Sequence, residues 1–190
     1  MKTELMKRYE DETDEMPTWT WHNREFVTDD VLDWAHEKIQ ALMEVAIMNY
    51  LGVRKNIIVP NVFWGLIDYE ADIVSLTKSG YATEIEIKVS KSDLLADFKK
   101  SIQHNSNLFK YFYYAIPKDM QEYALDKIPK EAGLLVVSFG KDSNDLSVTE
   151  VRSPILNKSH IKWTDKDTLK LAELGCMRIL GLKKKLIPKE

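Results

Sequence analysis

The chain has 190 residues, of which 44% are hydrophobic and 30% charged, with a formal net charge of −3. That is globular composition at the size of one domain, and it excludes binding of polyanions by bulk charge; basic groups would have to be locally arranged. One cysteine excludes an intrachain disulfide, and no stretch approaches the roughly 20 apolar residues of a membrane span. The first residues, MKTELMKRYEDETDEMP, are acidic and lack the apolar core of a signal peptide, so a cytoplasmic, intracellular protein is expected.

Residues 1–17 read as an acidic peripheral tail and 18–190 as a single domain. Trp19 and Trp21 alternate in an arm that either docks on the core or stacks bases. Thr28 is placed to cap a helix whose apolar stripe is Val31, Ala35, Ile39, Leu42, Ala46 and Tyr50, stopped at Gly52. The period then changes to that of strands, at 56–65, 70–77 and 82–90, with connections short enough to imply antiparallel neighbours. Ser90 and Asp93 form a capping box for the next helix, whose buried face reads as Leu94, Leu95, Phe98 and Ile102. LFKYFYYAIP (108–117) reads as a strand reached by a helical crossover. A short helix near 120–128, two strands joined around Ser143-Asn144, and a last helix opened by Thr164 and Asp167 complete the order. Cys176 falls in that helix's apolar pattern and reads as core; Lys183, Lys184 and Lys185 suit its C-terminus. Trp64 reads as core or sheet edge, and His22, His36 and His160 have no spacing that suggests a site. The whole predicts an α/β fold, a mixed sheet with helices on both faces.

The third strand carries the chemistry. Glu84, Glu86, Lys88 and Ser90 share one face, against Ile85, Ile87 and Val89 on the other. Alone, such alternation means a solvated face. A strand between an antiparallel partner and a crossover is interior, however, and charges under a helix layer must be paired or metal-bound. Asp72, a poor strand former in EADIVSL, is expected to face Glu86 across the ladder. Two carboxylates there repel unless a cation sits between them, and hard oxygen ligands suit Mg²⁺ or Mn²⁺. Lys88 would stabilise charge on a phosphoryl transition state, a set that suits phosphodiester hydrolysis. Lys91, Lys99, Lys100 and His104, at and beyond a helix N-terminus, read either as a solvated face or as contacts along a nucleic-acid backbone.

Asp72 followed by Glu86-Ile87-Lys88 resembles the PD-(D/E)xK nuclease signature, with Ala71 where the superfamily's proline stands. EIKVSKSDLLADFKK followed by YFYYAIP resembles MmcB-like DNA-repair and phage-associated proteins, through Glu86, Lys88, Ser90, Asp93, Leu94 and Asp97. The likeness spans Val59 to Pro117. It implies a restriction-endonuclease-like αβββαβ core and a Mg²⁺-dependent nuclease acting on DNA. It also implies Asp72, Glu86 and the Ile87 carbonyl as metal ligands and Lys88 as the catalytic lysine. Relatives add a first-helix glutamate, for which Glu37 and Glu44 are candidates, both opposite the stripe above; Glu70 could replace Asp72, and Glu84 falls at the rim. Asp93 is a cap or a site residue, and Asp97 lies on the helix's polar face. The rivals are a DNA-binding accessory protein that keeps the fold without cutting, and a protein–protein module with a structural charged face. Monomer and homodimer stay open.

Overall fold

The computed structural model describes residues 29–63, 65–99, 106–140 and 145–187. Its elements are α1 (Asp29–Leu51), β1 (Ile57–Val62), β2 (Ala71–Leu76), β3 (Ala82–Ile87), α2 (Lys91–Lys99) and β4 (Phe109–Pro117). A 3-10 turn (Lys118–Met120), α3 (Gln121–Lys127), β5 (Gly133–Phe139), β6 (Leu146–Arg152) and α4 (Asp165–Lys185) follow.

The strands make one six-stranded sheet in chain order. Short turns make β1, β2 and β3 successively antiparallel, whereas the α2 and α3 crossovers make β3, β4 and β5 parallel; β6 returns antiparallel to β5. One face of the sheet (Ile73, Ile85, Ile87, Ala115, Leu135) packs on Met43, Ala46 and Ile47 of α1. The opposite face packs on Leu171 and Leu174 of α4 at the β1–β2 side, and on Leu94 of α2 and Ala124 of α3 further along. The fold is therefore α/β, a mixed sheet flanked by helices on both faces. No described helix is long and apolar enough to cross a membrane.

Local chemistry sets the element ends. Gly52 takes φ +79 and donates to the Met48 carbonyl at 3.1 Å, which stops α1. Thr164 Oγ1 accepts from Asp167 N at 3.2 Å while Asp167 Oδ2 accepts from Thr164 N at 2.9 Å, the reciprocal box expected for α4. Thr164→Ala is expected to cost about 1 kcal/mol, read in a thermal melt as a Tm lower by about 2–4 °C.

Three expectations are corrected. Among the described side chains of α1, which exclude those of Val31 and Ala35, the buried stripe runs through Met43, Ala46 and Ile47, and Tyr50 is exposed, because these three meet the β2 and β3 isoleucines. The buried side of α2 holds Leu94 and Asp97, while Leu95 and Phe98 are exposed, because Asp97 answers a charge on the sheet. Cys176 is exposed: the face of α4 that meets the sheet holds Leu171 and Leu174, and Cys176, two residues past Leu174, falls on the other side of the helix. The tail, Trp19, Trp21, His22, Thr28, Trp64, Ile102 and the Ser143-Asn144 turn lie outside the described residues.

Candidate functional site

The β2–β3 register pairs Ile73 with Ile85 and Val74 with Glu84, so the next step brings Asp72 opposite Glu86. Asp72 Oδ2 accepts from Ile87 N at 2.7 Å, which fixes the carboxylate across the end of the ladder. Gln40, Asn61, Glu70, Asp72, Glu86, Ile87, Lys88 and Asp93 line a cavity of ≈ 300 Å³ at this end of the sheet.

The charged face of β3 is buried, not solvated. Glu84, Glu86, Lys88 and Asp97 are each at most 4% exposed, because β4 lies beside β3 and α2 crosses above it. Such burial demands partners. Lys88 Nζ lies 3.0 Å from Glu86 Oε2 and 3.0 Å from Asp97 Oδ1. Asp97 Oδ2 accepts from the Tyr114 hydroxyl at 2.8 Å, and Glu84 accepts from the Tyr69 hydroxyl at 2.9 Å. Glu84 is thus a fully buried group, not one at the rim.

The electrostatics follow from this burial. Burial pushes the Asp72 carboxyl up to about 7, with Glu86 adding to the shift and the Ile87 amide and Lys88 opposing it. Burial pushes the Lys88 ammonium down, but Glu86 and Asp97 outweigh it and hold its pKa above the ordinary lysine value. Tyr114 and Tyr69 are raised by burial and by the carboxylates they serve, so both stay protonated donors.

Neither first-helix candidate is in the cavity lining: Glu44 is half-buried beside Asn61, Gln40 and Asp72, and Glu37 is exposed. Burial raises Glu44; Asn61 and Gln40 hydrogen bonds oppose that, and Asp72 adds to it. The rotation of the α1 stripe toward Met43 and Ile47 is what turns Glu44 inward. Glu70 lines the cavity. Ser90 Oγ accepts from Asp93 N at 3.1 Å as expected of an N-cap, but Asp93 Oδ2 accepts from Val89 N at 3.3 Å, one residue earlier than a capping box requires. Asp93 thereby closes the strand-to-helix corner and lines the cavity.

Lys91 Nζ sits 5.1 Å from the Tyr123 ring centroid. The Lys99 side chain, Lys100 and His104 lie outside the described residues. Gln40, Asn61, Tyr69 and Tyr114 were not singled out by sequence. Asn61, at φ +52 inside a strand and next to Pro60, carried a signal, since Asn is among the few residues that tolerate this conformation.

Among the described residues, no group of three or more His, Cys, Asp or Glu side chains is arranged to hold a metal ion. Asp72 and Glu86 are a pair. Mg²⁺ keeps several waters and uses one or two carboxylates, so two carboxylates beside a strand-end carbonyl have the right donor chemistry.

No family model and no curated protein matches the chain. Among solved structures it is similar to SPO1766, a protein of unknown function from Silicibacter pomeroyi, with a TM-score of 0.53 and 19% identity. The likeness covers 76% of this chain and 88% of that one. At this identity it concerns the fold alone.

Proposed function

We propose that the chain is a PD-(D/E)xK-like nuclease that hydrolyses DNA phosphodiester bonds with Mg²⁺ or Mn²⁺, in the cytoplasm, in DNA repair or phage DNA processing. The observation that carries this reading is the Lys88 ammonium held between Glu86 and Asp97 in the wall of a cavity that also contains Asp72.

Asp72, Glu86 and the Ile87 carbonyl would hold the cation. When bound it supplies polarisation of a phosphate oxygen and a water of lowered pKa. The chain's own residues do the rest. Lys88 keeps a fixed positive charge where the phosphoryl group gains negative charge, and Asp97 with Tyr114 prevents it from swinging away. Asp72 must lose its proton before it can ligate. The buried floor formed by β3, β4 and α2 keeps the ammonium out of bulk water, where its field would be weaker.

The second reading is a catalytically silent DNA-binding accessory protein with the same fold. The double engagement of Lys88 by carboxylates favours it, since an ammonium so held is also a structural tie.

Incubation of labelled single-stranded, duplex and branched DNA with Mg²⁺ or Mn²⁺ tests the choice. The wild type is expected to cut at least one of them, and Asp72→Asn and Glu86→Gln, confirmed folded by circular dichroism, to cut none. Cleavage retained in Asp72→Asn would overturn the site assignment. DNA binding without cleavage by the wild type would select the accessory protein.

A further inference from the structure

The cavity wall is acidic: Glu70, Asp72, Glu86 and Asp93 line it against the single ammonium of Lys88. Beyond the metal ion proposed within the cavity, a polyanionic substrate therefore needs basic side chains beside it. The path of α4 supplies them. The helix approaches from the far end of the sheet, where Trp163 N donates to the Gly80 carbonyl at 2.8 Å in the β2–β3 turn. It climbs along β1, and a Cβ built on Gly175 would lie 3.3 Å from Val59 Cγ2. The Arg178 guanidinium then donates to the carbonyl of Asn61, whose residue lines the cavity.

Leu171, Arg178 and Lys185 recur at seven-residue steps and so share one face of α4. That face is set by the fully buried Leu171 and continued by Leu174. Beyond Arg178 every residue of the helix is exposed. Two turns on, and about 10 Å further along the axis, that face carries the exposed Lys185. Lys183 is rotated to nearly the opposite side.

We infer that Arg178 and Lys185 form a phosphate-binding rail that leads a nucleic-acid backbone to the cavity, opposite the α2 side. The inference rests on the nuclease reading for its substrate. It goes beyond the helix-dipole account of the C-terminal lysines, because only one of the three lies on the sheet-facing stripe.

The test is fluorescence anisotropy of labelled DNA with full-length protein in EDTA, across a salt series, for wild type, Lys185→Glu and Lys183→Glu. The two variants change net charge equally. Lys185→Glu is expected to weaken binding about tenfold and to reduce the steepness of the log–log salt dependence by about 1. Lys183→Glu is expected to change affinity less than threefold. Equal losses in the two variants, no loss in either, or no DNA binding by the wild type would each overturn the rail. Wild-type hydrolysis of bis(p-nitrophenyl) phosphate with Mn²⁺ reports on the active site separately. Hydrolysis with equal losses leaves the nuclease and removes the rail. Selective loss in Lys185→Glu without hydrolysis by the wild type keeps the rail and removes the nuclease.

Discussion

Lys88→Met is expected to abolish cleavage and also to destabilise the fold by about 3–5 kcal/mol at neutral pH, the usual cost of stripping one partner from a buried ion pair. Lys88 is 3% exposed, and its ammonium sits 3.0 Å from both Glu86 and Asp97. Without it, two carboxylates remain in a water-poor layer under α2. They must take up protons, repel each other or open the structure. The loss is therefore expected to shrink as pH falls toward 4 and the carboxylates protonate. Urea unfolding of wild type and variant at pH 5 and pH 8 reads both effects. Adding Asp97→Leu to Lys88→Met is expected to recover part of the stability, since it removes one stranded charge. A Lys88→Met variant that is nearly as stable as wild type at both pH values would mean that the ammonium is not held as described.

Much of the fold was legible because local signals agreed with the tertiary outcome. The change of period after Gly52, the short turns between strands, and the Thr164–Asp167 box each produced the element expected. The parallel pairing of β3 with β4 followed from the need for a crossover. Helix faces were less legible. In α2 the apolar pattern pointed to Leu95 and Phe98, but the face that packs is chosen by what lies beneath it. The buried Lys88, just past the end of β3, draws Asp97 inward and leaves Phe98 partly in solvent. The same limit applied to α4: its apolar spacing placed Cys176 in the core, but the face that packs on the sheet is that of Leu171 and Leu174, and Cys176 lies on the other side.

The centre of the site was legible because strand alternation and antiparallel register are rigid rules. They brought Asp72 opposite Glu86 and put Lys88 on the same face. Its support was not, because those residues come from elsewhere in the chain. Tyr114 is opposite Glu86 in the parallel β3–β4 register, and no local pattern in YFYYAIP distinguishes it from its aromatic neighbours. Tyr69 sits in an irregular connection. Gln40 reaches the cavity only because α1 is rotated from the stripe that its sequence suggests. The burial of Glu84 was missed for a similar reason: its partner hydroxyl, on Tyr69, lies 15 residues away in sequence.

Mg²⁺ binding is expected to strengthen as pH rises from 5 to about 7 and to release close to one proton per protein at the lower end of that range. Asp72 is the reason. Its carboxyl is raised from 3.8 to about 7, by burial first and by the Glu86 carboxylate next. Between these values the folded chain holds a proton that the unfolded chain has lost. Metal-free stability therefore falls as pH rises through this window, by at most about 1.4 kcal/mol per unit. Above pH 7 the group adds no further slope, and below pH 3.8 both states are protonated and the slope vanishes again. A cation reverses the preference, because it requires the ionised carboxylate and relieves its repulsion with Glu86. Titration calorimetry at pH 6 in two buffers of different ionisation enthalpy counts the protons released. Asp72→Asn is expected to abolish both the proton release and most of the affinity. Burial raises Glu44 as well, so Glu44→Gln serves as the control and is expected to keep most of the proton release. Mg²⁺ affinity that is flat from pH 5 to 8 in the wild type would mean that Asp72 is not a ligand. Affinity that follows pH equally in Asp72→Asn would move the titrating role to Glu44.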